Sequence, residues 1–503
     1  MAASERSELA PERAGKAAPR SEISTARSGV LIKQSDNYAA NFGEVYRSSA
    51  LFWARSDASV KTTISVTNYW KYKNSLDVAV LMNLRDSSGT LVERVKIGFT
   101  DSEVFNYAPP SGFDGSVEIE AFAAKNLRIP YAAAMAIYEC SDSISMVHSY
   151  ARAYSQHEIE DGRTISVGEE SCWTVRESAA ATSFCAFHNG PAAAPAQRVE
   201  LAVRRSEGEE IAAHFELPPL APFQTVLVEP RRYIPGLVEF LGGEPGNARL
   251  SYRLQGAFTR LLCGIRALDW SQLQVTHSNF NYARHQTDFV GSERGSAYMR
   301  TPTVPDPDLR QEIVVYPDSS PGVYSLNSDA LRREFQTGDI VRHRFASNAG
   351  VHLELTRKDG PLPTRIVTAL RLVRDDASIL PAECSLGIFH HLHPPKHFSW
   401  MVVSPARGSM ICWSELSDVH GACPRDAKLV FKLYCTDAKE PIVMETTLDQ
   451  MPANGAIPVR ALFASKSRWP DDYAWATVWC SHGGLLFFST LSKGRSLSIE
   501  HAF

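Results

Sequence analysis

Hydrophobic and polar residues alternate at period two along most of this chain, the spacing that sends successive side chains to opposite faces of a β-strand. Val60, Thr62, Ile64 and Val66 alternate with Lys61, Thr63 and Ser65; the pattern returns in Val78, Val80, Met82 and Leu84, and again in Leu91, Val95, Ile97 and Phe99. Further strands are predicted around 49–55, 116–123, 132–140 and 143–151, separated by turn signals such as Asp86-Ser87-Ser88-Gly89 and Pro109-Pro110-Ser111-Gly112. Seven short strands at that density predict an antiparallel β-sandwich. Helix is expected only in two short places: 234–241, closed by Gly242-Gly243, and 328–335, where Ser328 would cap.

The sandwich grammar recurs. Phe52-Trp53-Ala54-Arg55-Ser56, Cys172-Trp173-Thr174-Val175-Arg176 and Ser399-Trp400-Met401-Val402 each open a run of strand, strand, acidic or glycine-bearing turn, strand. The three runs end in MVHSYARAY, QVTHSNFNYARH and VWCSHGGLLFF, each with a His-Ser or Ser-His step near a terminal strand. Trp53 and Trp173 stand 120 residues apart and Trp173 and Trp400 stand 227 apart, which leaves room for a divergent fourth unit from Tyr298 to Pro395. The expected fold is therefore mainly β: tandem antiparallel β-sandwich modules, immunoglobulin-like or jelly-roll-like, with very little helix. The expected boundaries are a disordered tail over 1–29, modules over 30–160 and 166–290, a Pro-rich linker with a divergent module over 291–394, and a last module over 395–503. The linker signal is TPTVPDPD, Thr301 to Asp308. The repeated tryptophans are expected to plug the sandwich cores.

Length agrees with this reading, since 503 residues at roughly 150 per domain imply three to four domains. With 44% hydrophobic and 21% charged residues, wholesale disorder is excluded. The 52 basic and 56 acidic residues give a net charge of −4, which argues against a general nucleic-acid-binding surface. The first 28 residues mix five basic with four acidic groups and lack the apolar centre of a secretory signal. Apolar runs stay far below the ~18 residues of a membrane span. Nine cysteines, an odd number without any CxxC pair, favour reduced and buried thiols. The expected location is cytoplasmic, with export lacking a cleaved signal left open.

Two strings carry candidate chemistry. In Phe389-His390-His391-Leu392-His393-Pro394-Pro395-Lys396-His397, His391 and His393 share a face of an extended strand. His397 would fold back after the Pro-Pro turn, making a three-imidazole set for zinc, iron or copper. The alternative is an exposed turn whose histidines are solvated or bonded to backbone. In Asn68-Tyr69-Trp70-Lys71-Tyr72-Lys73-Asn74 three rings interleave with amides and lysines. Tyr69, Trp70 and Tyr72 would stack on sugar faces, or else bury against a neighbouring module. Trp469 and Trp475 invite the same pair of readings. His148-Ser149 and His277-Ser278 are adjacent pairs, which on a strand point to opposite faces, so they are expected to be structural. No GxSxG elbow, phosphate loop or calcium loop occurs. The function expected is non-catalytic: binding of a polymer or partner, carbohydrate or protein, or service as an assembly scaffold, without a cofactor. The competing reading is a metal-dependent enzyme using His391, His393 and His397 with zinc or iron.

Overall fold

In the computed structural model the described residues are 46–124, 133–148, 151–153, 171–206, 208–252, 257–259, 261–278, 296–317, 322–346, 350–363, 366–466 and 468–503. The expected N-terminal tail lies outside them. The first unit contains β1 (Tyr46–Ser56), β2 (Lys61–Thr67), α1 (Tyr69–Asn74), β3 (Ala79–Asp86), β4 (Leu91–Ile97), β5 (Val104–Tyr107), β6 (Phe113–Ala123), β7 (Ala134–Glu139), β8 (Ile144–His148) and a short β9 (Ala151–Ala153). The second has β10 (Ser171–Val175), β11 (Ala181–His188), β12 (Gln197–Arg204), β13 (Glu210–Leu217), β14 (Thr225–Val228), α2 (Pro230–Tyr233), α3 (Leu237–Leu241), β15 (Gly246–Ser251), β16 (Ala257–Thr259), β17 (Leu262–Ala267) and β18 (Leu273–His277). The third has β19 (Ser296–Arg300), β20 (Leu309–Tyr316), β21 (Val323–Ser328), β22 (Leu331–Gln336), β23 (Val341–Ala346), β24 (His352–Arg357), β25 (Val367–Arg374) and β26 (Ala382–Ser385). The fourth has β27 (Phe398–Val403), β28 (Met410–Glu415), α4 (Ser417–His420), β29 (Lys428–Tyr434), β30 (Ile442–Thr447), β31 (Ala456–Pro458), α5 (Val459–Leu462), β32 (Ala474–Cys480), β33 (Leu485–Lys493) and β34 (Ser496–His501).

One topology recurs in all four. The first sheet runs β10-β15-β12-β13, β19-β24-β21-β22 and β27-β32-β29-β30, and the second runs β14-β11-β17-β18, β23-β20-β25-β26 and β31-β28-β33-β34. In the first unit the equivalent orders are β1-β6-β3-β4 and β5-β2-β7-β8, joined through one β1–β2 pair, Ser56 opposite Lys61. In each of the three later units two strand pairs are sequence neighbours in the same sheet, and the first unit adds the β1–β2 pair; the other connections cross the sandwich. The chain is thus mainly β, built of antiparallel sheets packed as sandwiches, as its alternation predicts. Inward positions form separate cores, one around Trp173, Phe187 and Leu250 and another around Phe431, Val478 and Leu485. Eight cysteines among the described residues are free and buried, and no described helix is long and apolar enough to cross a membrane.

The edge strands of the second sheets, β8, β18, β26 and β34, meet in the middle, each packed against two of the others so that the four sandwiches close into a ring. Side chains rather than a backbone ladder join them. Ser143 Oγ accepts the Leu273 N–H (2.8 Å) and Ser145 Oγ accepts the Val275 N–H (2.8 Å). Ser498 Oγ accepts the Met146 N–H (3.0 Å), and Gln274 Nε2 donates to Ser496 Oγ (2.9 Å).

Several local expectations are corrected. The 328–335 segment is a hairpin, β21 to β22, with Ser328 opposite Leu331. The helix expected over 234–241 is confined to α3, because Pro235-Gly236 breaks the chain and Gly236 takes a left-handed conformation (φ 76°). The Pro-rich stretch expected as a linker runs inside the third sandwich between β19 and β20. There Thr301 bonds Gln311, and Gln311 Nε2 donates to the Pro302 carbonyl (2.5 Å). The tryptophans are not equivalent either. Arg55 N–H bonds Thr62 Oγ1 and Arg176 N–H bonds Ser183 Oγ, which aligns Arg55 with Arg176 and Trp53 with Thr174. Trp173 therefore sits on the Phe52 face: a slip of one residue exchanges the two faces of a strand.

Candidate functional site

The aromatic string does not form a ligand-stacking loop. Residues 69–74 wind into α1, where Tyr69 is 5% and Trp70 1% exposed. Tyr69 packs on Trp400 (ring centroids 4.4 Å) and Tyr72 stacks on Tyr434 (4.7 Å), so the rings glue the first sandwich to the fourth. Trp475 belongs to the same seam, 1% exposed, and donates its Nε1–H to Ser65 Oγ (2.8 Å). Trp469 is half-buried against the fourth core. For Tyr69, Tyr72 and Trp475, burial against a neighbouring unit is the reading that the geometry realises, and Trp70 and Trp475 are each 1% exposed.

His391, His393 and His397 are not gathered as a ligand set. His393 Nδ1 accepts the His390 N–H (3.0 Å), His391 is exposed, and His397 Nδ1 donates to the Cys480 carbonyl (3.0 Å) on another strand. Among the described residues, their ring nitrogens do not form a mutually close group. Phe389 pairs with Tyr298, which lays the string along the outer edge of β19.

The outer face of the first sheet in the third unit is concave and polar. Antiparallel register sets Tyr298 opposite Glu354, Glu354 opposite Asn327, and Asn327 opposite Arg332, one row across four strands. Ser325 and Glu334 form part of the next row, and Arg300 faces His352. Together with Lys358 and with Asp418 of α4 these side chains line a groove of about 810 Å³, within the usual size range of ligand sites. Two of its basic groups are paired, Lys358 with Glu334 and Arg300 with Asp418, and the lining also carries Arg332, Arg333, Asp329 and Glu354. Arg300 is only 1% exposed and donates Nε–H to the Glu415 carbonyl (3.2 Å), and burial lowers its pKa to about 10. Burial, then the Arg300 charge, lowers the His352 imidazole as well. No single segment of sequence signals this face, because its row is assembled from positions 298, 327, 332 and 354.

The ring junction brings together a second set. His148 ends β8, His277 ends β18 and His501 ends β34, and a nitrogen from each lies within 4.8 Å of the others. His148 meets His277 edge-on at 4.5 Å and His501 at 5.0 Å between ring centroids. Phe503 closes over His148 at 4.4 Å. Glu500, 2% exposed, places Oε2 3.4 Å from His148 Nδ1 and accepts the His501 N–H (3.0 Å). His277 Nδ1 donates to the Ser278 carbonyl (2.9 Å), which leaves its Nε2 as the unprotonated nitrogen of the neutral ring. Sequence reading found His148 and His277 but matched them with His482 of VWCSHGG. The third member is His501, in IEHAF, and its signal was a place at the end of a unit's last strand rather than a neighbouring serine. No protein-family model matches this chain, and no curated protein matches it.

Proposed function

We propose that this chain is a binding protein that takes a neutral, hydroxyl-rich polymer, a carbohydrate chain, in the groove on the third sandwich. The observation that carries this reading is the cross-strand row Tyr298, Glu354, Asn327 and Arg332 along the groove floor. A ring beside an amide, a carboxylate and a guanidinium offers one apolar face for a pyranose and both donors and acceptors for its hydroxyls. Rigid strands hold these groups, so little ordering entropy opposes binding. The lining balances four basic groups (Arg300, Arg332, Arg333, Lys358) against four acidic ones (Asp329, Glu334, Glu354, Asp418), which favours an uncharged ligand over a polyanion. Free buried thiols support a reducing compartment such as the cytoplasm.

Affinity electrophoresis against a panel of neutral polysaccharides tests this. At least one is expected to retard the protein, and Tyr298→Ala with Asn327→Ala is expected to weaken that retardation about tenfold or more, roughly the ~1.4 kcal/mol that a tenfold change represents. Trp70→Phe, at the inter-sandwich seam, should leave it unchanged. Absence of retardation across the panel, or retardation untouched by the groove variants, would remove the groove as the site.

A further inference from the structure

We infer that His148, His277 and His501 bind one zinc-like divalent transition-metal ion at the centre of the four-sandwich ring, with Glu500 as the accompanying carboxylate. The three imidazoles come from three separate units, and their nitrogens already lie within 4.8 Å of one another. Zinc–nitrogen bonds of about 2.0–2.1 Å in a tetrahedral site separate ligand nitrogens by roughly 3.4 Å, so small rotations of the rings complete the approach. The His277 tautomer is already the one a ligand needs: Nδ1–H is held by the Ser278 carbonyl and Nε2 carries the lone pair, the arrangement by which an outer partner orients a metal-bound imidazole. Glu500 supplies a buried negative charge beside two of the rings, and a divalent ion would balance it.

The three imidazoles end strand rows whose other positions are apolar. The neighbouring central positions Ile144, Met146, Leu273, Val275 and Ile499 are filled by ordinary apolar side chains, the usual occupants of such a place. The last strand of the third unit's second sheet, β26, carries no histidine, so the set is three nitrogens; a fourth position is left, which the Glu500 carboxylate beside two of the rings would fill after a side-chain rotation, or a water would. The ion would act as a staple, tying three sandwiches together where their strands meet without a continuous backbone ladder. This inference does not depend on the groove.

Untagged full-length protein, stripped with chelator and reloaded with Co²⁺ or Zn²⁺, tests it by elemental analysis and by the visible spectrum of the cobalt form. Close to one ion per chain is expected, with the absorption of four-coordinate Co²⁺, together with a melting temperature that rises on adding Zn²⁺ and falls on chelation. His148→Ala and His277→Ala are each expected to lose the ion, while His391→Ala with His393→Ala keeps it. Folded wild-type protein that takes up neither metal overturns the assignment whatever the variants do. So does loss of the ion in the His391/His393 variant.

Discussion

Three guanidinium groups converge on the Glu312 carboxylate in the third sandwich: Arg371 bonds it directly, Arg344 Nε lies at 2.9 Å and Arg342 Nη1 at 3.4 Å. Burial resists its charge, yet the Arg371, Arg342 and Arg344 charges prevail and hold its pKa at about 2, below the ordinary 4.5. A folded-state pKa depressed in this way stabilises the protein fully above the unfolded value and loses that contribution as pH falls from about 4.5 towards 2. The full contribution is on the order of 3 kcal/mol. Glu312→Gln is therefore expected to lower the urea midpoint strongly at pH 6 and progressively less towards pH 2, as the wild-type carboxyl is itself neutralised. A gap independent of pH would show that the cluster is not ionised as described. Residue type was legible at such places and residue environment was not. Tyr69, Trp70 and Trp475 read equally as ligand platforms or as seam packing, because what buries them comes from positions more than 300 residues away in the chain.

Strands and turns were the most legible elements, since period-two alternation and Asp-Ser-Ser-Gly turns are local. Asp86 Oδ1 does accept the Ser88 and Thr90 N–H groups, and Gly89 adopts φ 91°. Short elements were misread where local pattern and tertiary pairing disagree: residues 328–335 carry a capping serine and a helical spacing of Leu331 and Phe335, but cross-strand pairing wins. What alternation cannot disclose is the partner of an edge strand. The contact of β8 with β18 rests on Ser143 and Ser145, whose hydroxyls accept the buried Leu273 and Val275 amides. Ser143→Ala with Ser145→Ala leaves those amides without their acceptors, at a cost of about 1–3 kcal/mol each. Amide exchange at Leu273 and Val275 is expected to accelerate beyond what the global loss of stability explains. Unaltered protection at these two amides would mean that the serines are incidental.

At the scale of the whole molecule the sandwiches share structure across every seam. Trp53 packs on Phe184 and Trp270 of the second unit, Arg342 bonds Asn247 between the second and third, and the Phe488 and Ile499 side chains of the fourth enter the third core. Arg407 pairs with Glu139 at 2.9 Å to close the fourth unit on the first. Heat is therefore expected to unfold residues 46–503 in one calorimetric transition, with van't Hoff and calorimetric enthalpies in agreement. Well-resolved successive transitions would show that the units melt independently. Recurrence of a sandwich was readable from sequence, but its mode of assembly was not. The histidine junction depends on how units sit against one another, and the groove on how distant strands of one unit pair, which is why the best-marked local strings pointed elsewhere.

Each sandwich leaves one flank of its second sheet open at an edge strand, β8, β18, β26 or β34, and all four of those flanks face inward. Four is then more than a count of units. A chain with three units would leave a gap at the hub and expose bare strand flanks to other molecules, whereas a fifth would find no vacant place there. Each unit thus covers two neighbours' flanks, so removal of a whole unit is expected to expose buried strand surface on both sides of the gap.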